Sequence, residues 1–319
     1  MKKLYLHIGT HKTGTTAIQQ ALSIHAADLA NANYLVPYTG RIGPQSGHHN
    51  IAWEISGDER FRPDFGGIAQ LQSELSRGDA DLILSSEDFS CAVCRNPEKF
   101  KQFVDETKGW GFSPTIVVYF RNQLGYASSL YKELVRHGLD LDFEAFCQEI
   151  ISSGQFVWRN WTFPFCYLGF VNKLSALDGI TLVVRSYDRI EHSAVEDFAQ
   201  VVGLGTNPFA HTTIRTNISP PVLFDFRVFY KNLAGCELSA AEAIRIDGLL
   251  AGTDLPVSAV NARTIQQRFI ESNRLVFERF GIAPVFSPIE ITGTIDNALT
   301  MESVFSGKRL RDVGRETPF

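Results

Sequence analysis

The sequence predicts an α/β fold of three layers, α/β/α, with a central, mostly parallel sheet and a helix-rich C-terminal half. Three observations predict it. Short continuous apolar runs, Asp81–Ser85 and Thr115–Phe120 above all, read as strands buried on both faces. Segments of helical period lie between these runs, the alternation expected of βαβ units. A glycine-bearing loop, residues 9–14, joins the first strand candidate to the first helix candidate.

In chain order, Lys3–Ile8 is the first strand. Thr15–Ala30 is a helix, with Ile18, Leu22 and Leu29 on one face. Tyr34–Val36 is a short second strand. Thr39–Asn50 is a polar loop carrying Gly40, Gly43, Pro44 and Gly47 and ending in His48-His49. Residues 66–77 read as a helix, Asp81–Ser85 as a buried strand, and Thr115–Phe120, preceded by Pro114, as the strongest strand. Gln123–His137 is a helix that Gly138 stops. Ile180–Val184 is a further strand, followed by a helix over Ala194–Val202 that ends at Gly203. The aromatic cluster Phe156, Trp158, Trp161, Phe163, Phe165 and Tyr167 reads as a helix packed on the sheet, or alternatively as the lining of an acceptor pocket. Ser239–Glu242 has the form of a capping box, and residues 261–279 a long helix before Gly281. Residues 1–286 are expected to form one α/β domain and residues 287–319 an irregular tail.

Composition narrows the function. The chain has 319 residues, 44% hydrophobic and 20% charged, which supports a sizeable core rather than disorder. A formal net charge of −5 argues against a nonspecific nucleic-acid binder. No apolar run is long enough for an integral membrane segment. The apolar start at Leu4 is too short for a secretory signal, and the five cysteines, Cys91, Cys94, Cys147, Cys166 and Cys236, are sparse and odd in number, so a cytoplasmic location with reduced thiols is expected. Cys91 and Cys94 form a lone CxxC without a second ligand pair, so no metal is expected.

The most informative segment is His7-Ile8-Gly9-Thr10-His11-Lys12-Thr13-Gly14-Thr15-Thr16. Gly9 and Gly14 permit a tight turn whose N–H groups face an anion, and the helix N-terminus beyond adds partial positive charge. The nucleotide loop of ATPases puts lysine after its second glycine. Here Thr15 stands there and the lysine is Lys12. A second motif follows the strongest strand, with Arg121 at the strand end and Ser129 eight residues on, ahead of Tyr131. A strand-end arginine offers a forked, permanently charged partner to a phosphate.

Together these motifs resemble the PAPS-dependent sulfotransferases, in the version found in bacterial and Golgi-type members. The family's 5′-phosphosulfate loop is similar to Lys12–Thr16, and its 3′-phosphate motif is similar to Arg121 with Ser129, although Gln123 stands where many members have proline. A strand–aromatic–acidic segment, Val184–Arg189, is similar as well and places Tyr187 against the adenine; Asn217-Ile218-Ser219 adds a weaker echo. The likeness spans most of Lys3–Gly203. It implies a P-loop NTPase-like fold and transfer of a sulfuryl group from PAPS, leaving PAP, to a hydroxyl or amine of a saccharide, lipid or small-metabolite acceptor. It implies cofactor contacts from Gly9, His11, Lys12, Thr13, Gly14, Thr15, Thr16, Arg121, Ser129 and Tyr187, with Lys12 balancing charge at the transferred group.

The base that takes the acceptor proton is expected to be Glu87, which ends a strand where ligands bind in open α/β sheets. His48 and His49 are its rivals, since histidine titrates near neutrality. A P-loop small-molecule kinase and a noncatalytic PAP-binding relative remain alternatives, and the oligomeric state stays open between monomer and homodimer.

Overall fold

The structure is a computed structural model that describes residues 1–44, 46–75, 78–204, 209, 228, 231–232, 235 and 259–282. Ser219, the Ser239 capping box and the tail from residue 287 lie outside the described residues.

Five parallel strands form the main sheet: β1 (Lys2–His7), β2 (Tyr34–Leu35), β3 (Asp81–Ser85), β4 (Phe112–Phe120) and a last strand, Thr181–Ser186. A separate hairpin, β5 (Gln155–Trp158) and β6 (Trp161–Pro164), precedes that last strand, which is therefore β7. The sheet order is β2-β3-β1-β4-β7. In β1, β3 and β4 the side chains alternate between the two faces, yet both faces are apolar. Leu4, Leu6, Leu82, Leu84, Ile116, Val118 and Phe120 enter one core cluster, and Tyr5, Ile83, Val117 and Tyr119 enter the other. A sheet buried on both sides needs this continuous apolar pattern.

The helices covering it are α1 (Thr15–Ile24), α2 (Ala26–Asn31), α3 (His49–Ser56), α4 (Ile68–Leu75), α5 (Asp88–Arg95), α6 (Pro97–Gly109), α7 (Gln123–Arg136), α8 (Phe143–Ser153), α9 (Tyr167–Ser175), α10 (Ala194–Val202) and α11 (Ala259–Arg279). Ile18, Ala21 and Leu22 of α1, Leu29 of α2 and Phe198 and Val202 of α10 pack on one face. Helices α3, α4, α5, α6 and α9 pack on the other, joined by Val276 and Phe277 of α11. The three-layer α/β/α architecture expected from sequence is thus present.

The chain divides into two compact units. The first, Met1–Asn122 with Ser153–Thr216 and Phe269–Ser287, contains both sheets. The second includes α7, most of α8 and the start of α11. Within it, Tyr131 packs on Phe143 and Phe146 with ring centroids 4.8 and 5.4 Å away and donates to the Leu141 carbonyl at 3.0 Å.

Four expectations change. The first helix breaks at His25 (φ −100°, ψ 21°), whose ring pairs with Asp28 Oδ2 at 3.0 Å, and continues as α2. The polar loop after β2 ends at His48, two residues earlier than Asn50, because His49 already begins α3. β4 starts at Phe112 and includes Pro114; Pro114 pairs with β1 alone, since β7 joins only from Thr115, so its missing N–H breaks no ladder on the β7 side. Phe156, Trp158, Trp161 and Phe163 of the aromatic cluster lie on a hairpin, not a helix, and only Tyr167 opens one, α9. In β5 burial alternates, with Phe156 buried between exposed Gln155 and Val157, whereas Thr162, Phe163 and Pro164 of β6 are all buried; Arg159 turns the chain with φ 51°.

The topology also locates a crevice. From β1 the chain crosses one face through α1 and α2 to the sheet edge at β2, whereas β3 leads over the other face through α5 and α6 to β4. Loops leaving β1, β3 and β4 therefore diverge at the C-terminal sheet edge, where ligands bind in such folds.

Candidate functional site

The loop from Ile8 to Gly14 leaves the C-terminal end of β1 and is built from the inside. The Ile8 N–H continues the sheet to the Val117 carbonyl at 2.9 Å. Thr10 Oγ1 donates to the Tyr119 carbonyl at 2.9 Å, and Thr13 Oγ1 donates to the Thr10 carbonyl at 2.5 Å, both fully buried. Thr13 thus braces the loop with its hydroxyl. Lys12 has φ 65° and Gly14 φ 80°, two left-handed residues that fold the chain back before α1. No side chain caps α1 at Gly14, so the first N–H groups of the helix are left to solvent or a ligand. Thr15 is buried against Gly9, where a Cβ would meet its Cγ2 at 2.8 Å, while Thr16 is exposed on the first turn.

Three of the expected cofactor residues converge. A Cβ on Gly14 would lie 2.7 Å from Ala194 Cβ and 3.3 Å from Tyr187 Cε2. Arg121, just beyond β4, sets its guanidinium 5.7 Å from the Tyr187 ring centroid. The Arg121 Nε is buried without a hydrogen-bond partner and stands 3.7 Å from Asp188 Oδ1. Asp188 in turn accepts from the Asn122 backbone N–H at 2.6 Å and fixes the post-β4 turn. Ser129 lies on α7, half-buried, in the second unit.

A second group gathers after β3. Glu87 precedes α5 without capping it; its carboxylate instead accepts from Gln19 Nε2 of α1 at 2.7 Å. Burial pushes the Glu87 carboxyl up, but His49 and His11 outweigh that and hold it below its ordinary range. His49 Nδ1 meets Asp88 Oδ2 and Ser86 Oγ, each at 2.9 Å. Burial opposes charge on His49, yet Glu87 and Asp88 raise its pKa above the usual value. Asp88 shows the complement: burial favours its neutral form, but the bond to His49 and the charges of His49, His11 and Arg60 bring it to about 2. His49 and Asp88 are an oriented imidazole–carboxylate couple, with Trp53 Nε1 also donating to Asp88 Oδ2 at 2.9 Å.

His48 is not placed for proton transfer. It is buried, its Nδ1 accepts from the Ser85 N–H at 3.0 Å, and its Nε2 donates to the Pro37 carbonyl at 3.1 Å. Burial and Arg41 lower its pKa to about 3, so the ring is a neutral strut. His11 faces the hairpin, edge-on to Phe163 at 4.9 Å, with Nε2 3.9 Å from Cys91 Sγ.

Sequence reasoning missed Gln19, Asp88, Arg60 and Cys91 as neighbours of the loop. Gln19 carried a signal, since it follows Thr15 by four residues on the same helix face. Arg60 carried none: only the fold stacks its guanidinium over Trp53 and Trp161, 4.6 and 4.5 Å from their centroids.

No known family's sequence profile matches the chain, and no curated protein matches it. Among solved structures, a chain from the PezAT chromosomal toxin–antitoxin system of the human pathogen Streptococcus pneumoniae aligns with a TM-score of 0.32 and 15% identity, over 86% of this chain and 88% of that one. A likeness this slight carries no functional argument.

Proposed function

We propose that the protein is a PAPS-dependent sulfotransferase acting on a hydroxyl or amine acceptor. The observation that carries this reading is the convergence of the Lys12–Gly14 turn, Tyr187 and Arg121 in the first unit, with Arg121 offering a buried Nε that has no hydrogen-bond partner. The pieces fit a bisphosphorylated nucleotide: a glycine turn and helix start for one phosphate, a strand-end arginine for the other, and an aromatic ring between them.

PAPS, when bound, supplies the sulfuryl group and the leaving phosphate. Lys12 and the N-terminus of α1 hold the 5′-phosphosulfate end and neutralise charge as it develops on the leaving oxygen. Arg121 holds the 3′-phosphate, and Tyr187 packs beside the base. The acceptor proton goes to a base. Glu87, favoured by sequence, is a carboxylate held below its ordinary pKa and already bonded to Gln19, hence a weak acceptor. His49 suits the step better: Asp88 orients it through Nδ1, and Glu87 and Asp88 raise its pKa above the ordinary value, which strengthens it as a proton acceptor. Glu87 then serves as the anion that tunes His49.

The test is formation of a sulfated product, followed by mass spectrometry, across saccharide, lipid and small-metabolite acceptors. Lys12→Ala should lower kcat/KM by about 10²–10³. Glu87→Gln removes a charge that raises the His49 pKa, so the limb of the pH–rate profile set by the base should move to lower pH. An unmoved limb assigns the base elsewhere, and full activity in Lys12→Ala contradicts the proposal.

A further inference from the structure

Beside the nucleotide site, three side chains from two segments far apart in sequence meet beneath the hairpin. His11 comes from the phosphate loop, and Asp88 and Cys91 from the first turn of α5. Their ligand atoms all lie within 4.8 Å of one another. The His11 Nε2 to Cys91 Sγ distance of 3.9 Å is close to the roughly 3.3–3.8 Å separating N and S ligands on a tetrahedral zinc.

The Asp88 carboxylate gives an independent pointer. Its Oδ2 is fully used by His49 and Trp53, whereas its Oδ1 is buried without a hydrogen-bond partner. The nearest fixed cation, Arg60, stays 3.8 Å from that oxygen and is held in place by Asp58 and by Trp53 and Trp161. An ionised, desolvated oxygen with no donor is costly, and a cation at Oδ1 would remove the cost.

We propose that His11, Asp88 through Oδ1, and Cys91 bind a zinc-class divalent cation. Nitrogen, oxygen and thiolate ligands together suit zinc rather than calcium or magnesium, which take oxygen. Binding converts the Cys91 thiol to a thiolate and releases one proton to solvent. Three protein ligands leave a fourth position for water or for a polar group of a bound molecule. His49, bonded to the other Asp88 oxygen, orients the carboxylate from behind. The site ties the phosphate loop to α5, so the cation is a positioning element for the loop.

The test uses the full chain, stripped of metal. Equilibrium dialysis against zinc should leave one equivalent per chain, and cobalt substitution should give a thiolate-to-metal charge-transfer band. His11→Ala and Asp88→Asn should each weaken zinc binding by about tenfold or more, Cys91→Ser should abolish the cobalt band, and Cys94→Ser should leave both intact. If Cys91→Ser fails to fold, the cobalt spectrum of the unaltered chain and the His11 variant still decide. No retained zinc, a cobalt spectrum without thiolate character, or binding lost on Cys94→Ser instead would each overturn the proposal.

Discussion

Lys12 holds a left-handed backbone that costs a residue with a Cβ about 1 kcal/mol or more. Such strain persists only where the surroundings impose it, and here Thr10 and Thr13 brace the turn from within. Lys12→Gly separates backbone from charge. Unfolding by denaturant should show stability unchanged or raised by up to about 1 kcal/mol, while PAP affinity, measured by calorimetry, falls. Loss of both together would mean that the lysine serves the fold. Gly14 gives the opposite case. An added Cβ would sit at φ 80° and 2.7 Å from Ala194 Cβ, so Gly14→Ala should cost about 1–3 kcal/mol and also weaken PAP binding, because α10 and Tyr187 must move away from the loop.

Strand β4 is the element on which both proposed phosphate contacts depend. It pairs with β1 and β7, and its last residue, Phe120, positions Arg121. Phe120 stacks on Tyr167 with ring centroids 4.1 Å apart, and Tyr167 donates to the Arg121 carbonyl at 2.5 Å. Phe120→Ala should destabilise the protein by about 3–5 kcal/mol, read as a shift in the denaturation midpoint; a cost below about 1 kcal/mol would show that β4 is not anchored there. The sequence makes β4 legible because its apolar run is continuous, and makes β1, the loop and α1 legible because glycine placement dictates the turn. It does not reveal α3, whose start at His49 lies in a glycine-rich polar stretch without a capping residue. Nor does it reveal the hairpin, because closely spaced aromatics fit helical and alternating patterns equally. The His49–Asp88 couple was half visible. His49 was in view but Asp88 was not, because residues 39 positions apart pair only through the fold, and adjacent Glu87 drew the assignment instead.

Across the molecule, two buried imidazoles make the fold sensitive to acid. Burial lowers His7 to about 4 and His48 to about 3. Both rings are neutral when folded, and both take a proton near pH 6.5 once unfolded, so below that pH the unfolded chain binds more protons. Stability should therefore fall from pH 7 to pH 5, by up to about 1.4 kcal/mol per pH unit for each ring. His49 acts in the other direction but at higher pH: its raised pKa gives stability that is complete below its ordinary value and lost as pH rises through the folded one. Chemical denaturation at pH 7 and pH 5 tests this, and His48→Gln should remove about one proton from the slope. No helix among the described residues is long and apolar enough to cross a membrane. A net charge of −5 says little about a nucleotide, because the charges proposed to bind it are local: Lys12, Arg121 and the start of α1. The most direct test is calorimetric titration of the full chain with PAP and, separately, with ATP. Binding of PAP at one site, lost in Lys12→Ala and in Arg121→Ala and much stronger than binding of ATP, is the predicted result; binding of ATP in preference to PAP, or no binding of PAP by folded protein, would contradict it.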